Sequence, residues 1–188
     1  GCGIFPERVA VCNAARVRSL VEDIGFEKEV DFVYCYMAAQ NFQVPERGER
    51  IAQRVLERGG LAVKRFKDKR ELVSWAARIG EAYNKAFVKN WEYYPLTRNE
   101  IKFVVDNIIT IADHRLIKII THGDDVVGFL FAFADVSAAL QRARGRLWPF
   151  GLPDLLLEMR RTKTVSGNGI GILPEFQGHG GNALLYTE

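Results

Sequence analysis

Between residues 177 and 182 the chain reads QGHGGN, three glycines in four positions directly ahead of the stretch ALLY. An apolar run and Pro174 precede it, and a helix is expected to follow. The first N–H groups of a helix have no partner within it, and the helix dipole adds partial positive charge there. Such a turn can hold an anion, phosphate above all. Glycine adds the positive φ and the close backbone approach that a phosphate needs. Two known phosphate patterns do not fit. No Gly-Lys-Ser/Thr follows, as a P-loop would require. The glycine spacing and the preceding strand order also differ from the dinucleotide fingerprint. A glycine turn with no ligand explains the same residues. His179 inside the turn either touches the anion or faces solvent.

A second cluster, Trp91, Glu92, Tyr93 and Tyr94, lies in an aromatic loop, KNWEYYPL. Its rings could hold an acceptor and Glu92 could attract an amine. The same rings serve equally well to pack the loop on the sheet. His114 and His122 flank an expected strand without metal spacing to any acid or thiol, so they read as structural and no metal is expected. Asp124 and Asp125 suit a turn.

The elements that must position these residues follow from periodicity. Val17, Leu20, Val21 and Ile24 mark an amphipathic helix over 13–24, capped by Gly25. VDFVYCYM (30–37) reads as a strand. Pro45 opens a helix with Ile51, Val55 and Leu56 as its stripe, ended by Gly59 and Gly60. LAVKRF starts a new unit as a strand. A helix is expected over 70–88, with Leu72, Trp75, Ala76, Ile79, Tyr83 and Phe87 on one side. Thr97 and Glu100 form a capping box for a helix running to about Asp113. LIKIITH and VVGFLFAFA, separated by GDD, predict a hairpin. Residues 136–161 read as helical and irregular, broken by Pro149 and Pro153. KTVSGNGIGIL (163–173) reads as a strand weakened by Gly167, Gly169 and Gly171. The pattern is α/β (α+β) with a largely antiparallel sheet.

The chain has 188 residues, 48% hydrophobic and 26% charged, with net charge +3. That suits a globular protein with a sizeable core and a phosphate-bearing ligand, with no demand for nucleic acid. No apolar run reaches the ~18 residues of a membrane span. Cys2, Cys12 and Cys35 are an odd count without metal spacing, so reduced thiols and a cytoplasmic location are expected.

A strand followed by LPEFQGHGGNALL resembles the acetyl-CoA-binding motif of the GNAT N-acetyltransferase superfamily, Gln/Arg-x-x-Gly-x-Gly/Ala. Gln177 and Gly180 match, and Asn182 departs where Gly or Ala is usual. The element order from Leu61 agrees with that superfamily. The insert at 136–161 departs from its tight hairpin. The resemblance implies that backbone N–H groups of Gln177, Gly178, His179, Gly180, Gly181 and Asn182 hold the pyrophosphate of coenzyme A. It further implies that the main chain of Ile172 and Leu173 lies along the pantetheine arm and polarises the thioester carbonyl. The implied activity is acetyl or acyl transfer from acetyl-CoA to an amine, with a small-molecule or peptide acceptor. The alternative is a non-catalytic ligand-binding or structural module on the same scaffold.

The resemblance names no catalytic residue here. The fourth strand carries no acid, and Ser166 and Asn168 are the polar residues inside it. The front of the chain resembles the closing part of a GNAT domain, matched at Asn13 and at Gly25-Phe26. The organisation implied is a closing helix and strand over 1–43, a connecting helix over 44–60, and a GNAT domain over 61–188 that lacks its last elements. The whole resembles bacterial tandem-GNAT proteins. The fourth strand would then be an open edge, a pairing hazard. The leading segment is expected to cover it, within one chain or by strand exchange in a homodimer. The insert, with Arg142, Arg144, Arg146, Arg160, Arg161 and Lys163 around an apolar run, reads as a helical cover for the sheet, a lid, a dimer face or a membrane-surface helix.

Overall fold

The computed structural model describes residues 8–30, 43–109 and 112–187. The chain divides into two compact units, Gly1–Phe42 and Gln43–Glu188. The first holds helix α1 (Arg8–Asp23). Gly25 follows at φ +95°, and the Phe26 N–H donates to the Val21 carbonyl, so the helix ends on a left-handed glycine as expected. The strand expected at 30–37, and with it the pairing it was expected to make, lies almost wholly outside the described residues.

The second unit is an open antiparallel sheet of four strands in sequence order: β1 (Ala62–Lys64), β2 (Ile117–His122), β3 (Asp125–Ala134) and β4 (Val165–Ile172). β2 and β3 are joined by a two-residue loop, with Gly123 at φ +60° and His122 opposite Asp125. Glycine at the first central position is what such a hairpin turn requires.

One face of the sheet is covered by helices α3 (Lys69–Ser74), α4 (Ala76–Phe87) and α5 (Arg98–Ile108). Phe66, Leu72, Ile79, Ile117, Ile119 and Phe129 form the core there. The expected single helix over 70–88 is two. Asp68 caps α3 by accepting from the Glu71 N–H, and the break falls at Trp75 (φ −95°, ψ −4°). The break lets the Trp75 ring meet Phe66 edge-on, between the cations of Lys64 and Arg78. The Thr97–Glu100 capping box is formed and opens α5. That helix ends earlier than expected. Asp113 instead caps a short 3-10 turn, His114–Leu116, by accepting from the Arg115 N–H.

Of the three glycines of β4, Gly171 has a packing reason, whereas Gly167 has open space around it. A Cβ on Gly171 would stand 2.5 Å from Phe129 Cζ and 3.1 Å from the Ala86 Cβ. Phe129, Phe131, Tyr83 and Phe87 fill that space as a ring cluster. Gly171 thus seats the Phe129 ring of the neighbouring strand.

The other face is covered by α2 (Glu46–Arg58) and α8 (Gly181–Thr187). Ala52, Ile120, Val127, Ile172, Leu173, Leu184 and Leu185 make its core. Pro45 precedes α2 at the N-cap position, and Ile51 and Val55 turn inward while Leu56 stays exposed. The insert forms α6 (Ser137–Ala143) and α7 (Gly151–Arg161), clasped by Arg142, which bonds Asp154 at 2.9 and 3.0 Å and Glu158 at 2.5 Å. Leu147, Trp148 and Phe150 at its tip remain exposed, Trp148 and Phe150 more than 80%.

Candidate functional site

β4 runs into the glycine turn, and the sheet fixes where it ends. The Leu173 N–H donates to the Val127 carbonyl at 2.9 Å. In an antiparallel ladder, main-chain groups alternate between the neighbour strand and the free side. Ile170 and Ile172, in register with Leu130 and Gly128, therefore direct their main-chain groups to the open edge of β4. The Ile172 carbonyl is met there by Gln177 Nε2 at 3.1 Å. Gln177 thus folds the turn back on the strand that leads into it. Leu173, paired with Val127, has no N–H left for a ligand.

A 3-10 turn, Pro174–Phe176, carries the chain outward, and then Gly178 and Gly180 take φ +79° and +84°. None of the N–H groups from Gly178 to Asn182 meets an acceptor among the described residues. Consecutive unpaired donors around glycines of positive φ are an arrangement that can hold an anion. Asn182 lies inside α8, so its place in the pattern demands no left-handed backbone. The left-handed positions belong to glycines, and the departure at Asn182 leaves the turn intact. His179 is exposed, and its Nδ1 lies 3.0 Å from the Gln177 carbonyl.

Gly180 is also a packing point. A Cβ there would stand 2.7 Å from Val55 Cγ2 and 2.8 Å from Ile51 Cγ2. α2 thus lies against the turn, and the two enclose a cleft of about 580 Å³. Arg54 and Arg58 line it from α2, His122 from the end of β2, and Gly178, His179 and Gly180 from the turn. Arg54 and Arg58 are exposed, and neither has an ion pair among the described residues. Two free guanidiniums, one carboxylate, Glu175, and the turn at Gly178–Gly180 thus border one cleft, whose balance of charge is positive and suits an anionic ligand.

The sequence reading missed the α2 side of this cleft. The i, i+4 spacing of Ile51 with Val55 and of Arg54 with Arg58 was legible. What α2 packs against was not.

The aromatic loop lies elsewhere. Tyr93 packs on Tyr83 and Phe87 and donates to Asn84 Oδ1 at 2.6 Å; burial pushes its phenol pKa up. Asn84 accepts from the Leu96 N–H as well and ties the loop to α4. Trp91 and Tyr94 are exposed, and Glu92 adopts φ +49°. None of the four lines the cleft beside the turn. Ser166 is exposed, and Asn168 sits at a β-bulge between β3 and β4. Among the described residues no cluster of three His, Cys, Asp or Glu side chains could hold a metal ion, and no helix is long and apolar enough to cross a membrane.

The chain matches no family model. It is 26% identical over 159 residues to a bacterial ceramide synthase of Caulobacter vibrioides, covering 84% of this chain and 41% of that protein. It is 20% identical over 162 residues to Protein YghO of Escherichia coli strain K12, covering 84% and 40%. The chain spans about two fifths of the length of these curated relatives.

Proposed function

We propose that this chain carries the acyl-CoA-binding part of a GNAT-type N-acyltransferase. The observation that carries the reading is the row of unpaired N–H groups at 178–182, of which Gly178, His179 and Gly180 line a cleft that Arg54 and Arg58 also line. The pyrophosphate of coenzyme A lies along the turn, and the arginines of α2 take its remaining phosphate charge. The pantetheine arm follows the open edge of β4, where Ile170 and Ile172 present their main-chain groups.

In the reaction an amine nitrogen attacks the thioester carbonyl carbon. The C–N bond forms, the C–S bond breaks, and coenzyme A leaves as the thiol, with the proton that the amine loses. One relative is named a bacterial ceramide synthase. A ceramide is the amide of a long-chain amino alcohol, so its synthesis is amide formation of this kind. That name supports an amine acceptor and an acyl donor for this chain.

A second reading, a ligand-binding module without catalysis, is favoured by the absence of any acid on β4 and by the engagement of the Leu173 N–H with Val127. Thiol release from acetyl-CoA with a panel of amines separates the two. Binding itself is tested by calorimetric titration with acetyl-CoA against an Arg54→Gln/Arg58→Gln variant. Gly180 is a poor target, since any side chain there strikes Ile51 and Val55. Binding weakened about tenfold or more is expected, because each charge-assisted contact contributes about 1.5–3 kcal/mol. No binding by the parent protein sinks the reading.

A further inference from the structure

On the face of the sheet away from the turn, a cavity of about 440 Å³ opens between α3, α4, α5 and the strands. Leu72, Ile79, Ile101, Val105, Phe131 and Phe133 are among its walls, and no lining residue is charged. Tyr83 and Asn168 supply its polar side chains. Its volume is that of a small-molecule site, about 300–1,000 Å³. α4 and α5 touch at Gly80, where a Cβ would stand 2.6 Å from Ile101 Cδ1.

Asn168 connects this cavity to β4. The register passes from Phe131 opposite Gly169 to Ala132 opposite Gly167, which leaves Asn168 as the extra residue of a bulge. A bulge re-aims a side chain without ending the strand. Asn168 stands four residues before Ile172, about 13 Å along the strand. A molecule whose polar head lies at the β4 edge can therefore put its tail among these walls. A charged or strongly polar tail would lose its hydration there with almost nothing to pair with. A hydrocarbon tail gains with every methylene it buries.

We infer that this cavity binds a long hydrocarbon chain, borne by the acyl group or by the amine. The identity of the head group rests on the acyltransferase reading; the chemistry of the tail rests on the cavity alone.

The test is calorimetric titration with two pairs of probes: butylamine against decylamine, and acetyl-CoA against decanoyl-CoA. At least one long-chain probe is expected to bind about tenfold or more tightly than its short partner. Whichever pair shows the gain identifies the carrier of the chain. An Ala76→Phe variant, which puts a ring into the path of the chain, is expected to erase that gain and leave acetyl-CoA affinity unchanged. If it does not fold, Val105→Asn, which puts an amide in the wall, takes its place. No chain-length gain in either pair overturns the inference, as does a gain that persists in a folded variant. Chain-length selectivity without acetyl-CoA binding sinks the acyltransferase reading and leaves the cavity inference standing. Acetyl-CoA binding without selectivity does the reverse.

Discussion

Asp113 shows how a single side chain couples this fold to pH. Arg115 grips both its oxygens, Nε at 3.0 Å from Oδ1 and Nη2 at 2.6 Å from Oδ2, and its own N–H bonds Oδ1 as well. The Arg115 bonds outweigh burial and hold the carboxyl down at about 2, against 3.8 for a free Asp. A carboxylate depressed in the folded state stabilises it above the free value and loses that effect as pH falls through the folded one. Urea melts at pH 4 and pH 2 are therefore expected to show a loss of stability that shrinks in Asp113→Asn. Gly171 makes a steric prediction. Its Ala variant places a methyl against the Phe129 ring and the Ala86 methyl, so stability is expected to fall by about 1–3 kcal/mol in chemical denaturation.

The helices and strands were legible to different depths. Thr97 and Glu100 announced α5, because a capping box is a local device and its residues specify it without tertiary help. The hairpin of β2 and β3 was equally plain from Gly123 between two β-branched runs. The break at Trp75 was not, since the 3.6-residue stripe of Leu72, Ile79 and Tyr83 continues across it. Only the ring's contact with Phe66 reveals why the helix divides there. Gly171 reads as weakness when taken alone, and Phe129 turns that weakness into fit. The 178–182 turn was visible, whereas Arg54 and Arg58 were not, because the contact of α2 with Gly180 joins residues about 125 positions apart. Thr97→Ala removes the cap at the start of α5. A loss of about 1 kcal/mol is expected by urea denaturation. Because α5 forms one wall of the apolar cavity, faster amide exchange along that helix should accompany it.

At the scale of the whole molecule, two surfaces stand out. The insert ends in Leu147, Trp148 and Phe150, all exposed, with Arg144 and Arg146 beside them. Exposed rings of this kind drive retention on hydrophobic media and self-association. Trp148→Ser/Phe150→Ser is expected to shorten retention on a hydrophobic-interaction column without lowering the melting temperature, because neither ring is buried. The outer edge of β4, which no strand pairs among the described residues, is the other surface. Strand exchange between two chains would use that edge. A ligand on that edge would then compete with self-pairing, and sedimentation at rising concentration, with and without coenzyme A, should show dimer depleted by the ligand. The seating of α2 on Gly180 also sets the order in which the molecule is made. α2 leaves the ribosome before the turn, with β1 to β4 between them. Closing so long a loop is entropically slow, so the cleft is among the last parts of the unit to assemble. A nascent chain can hold a finished hairpin while it still has no place for an anion.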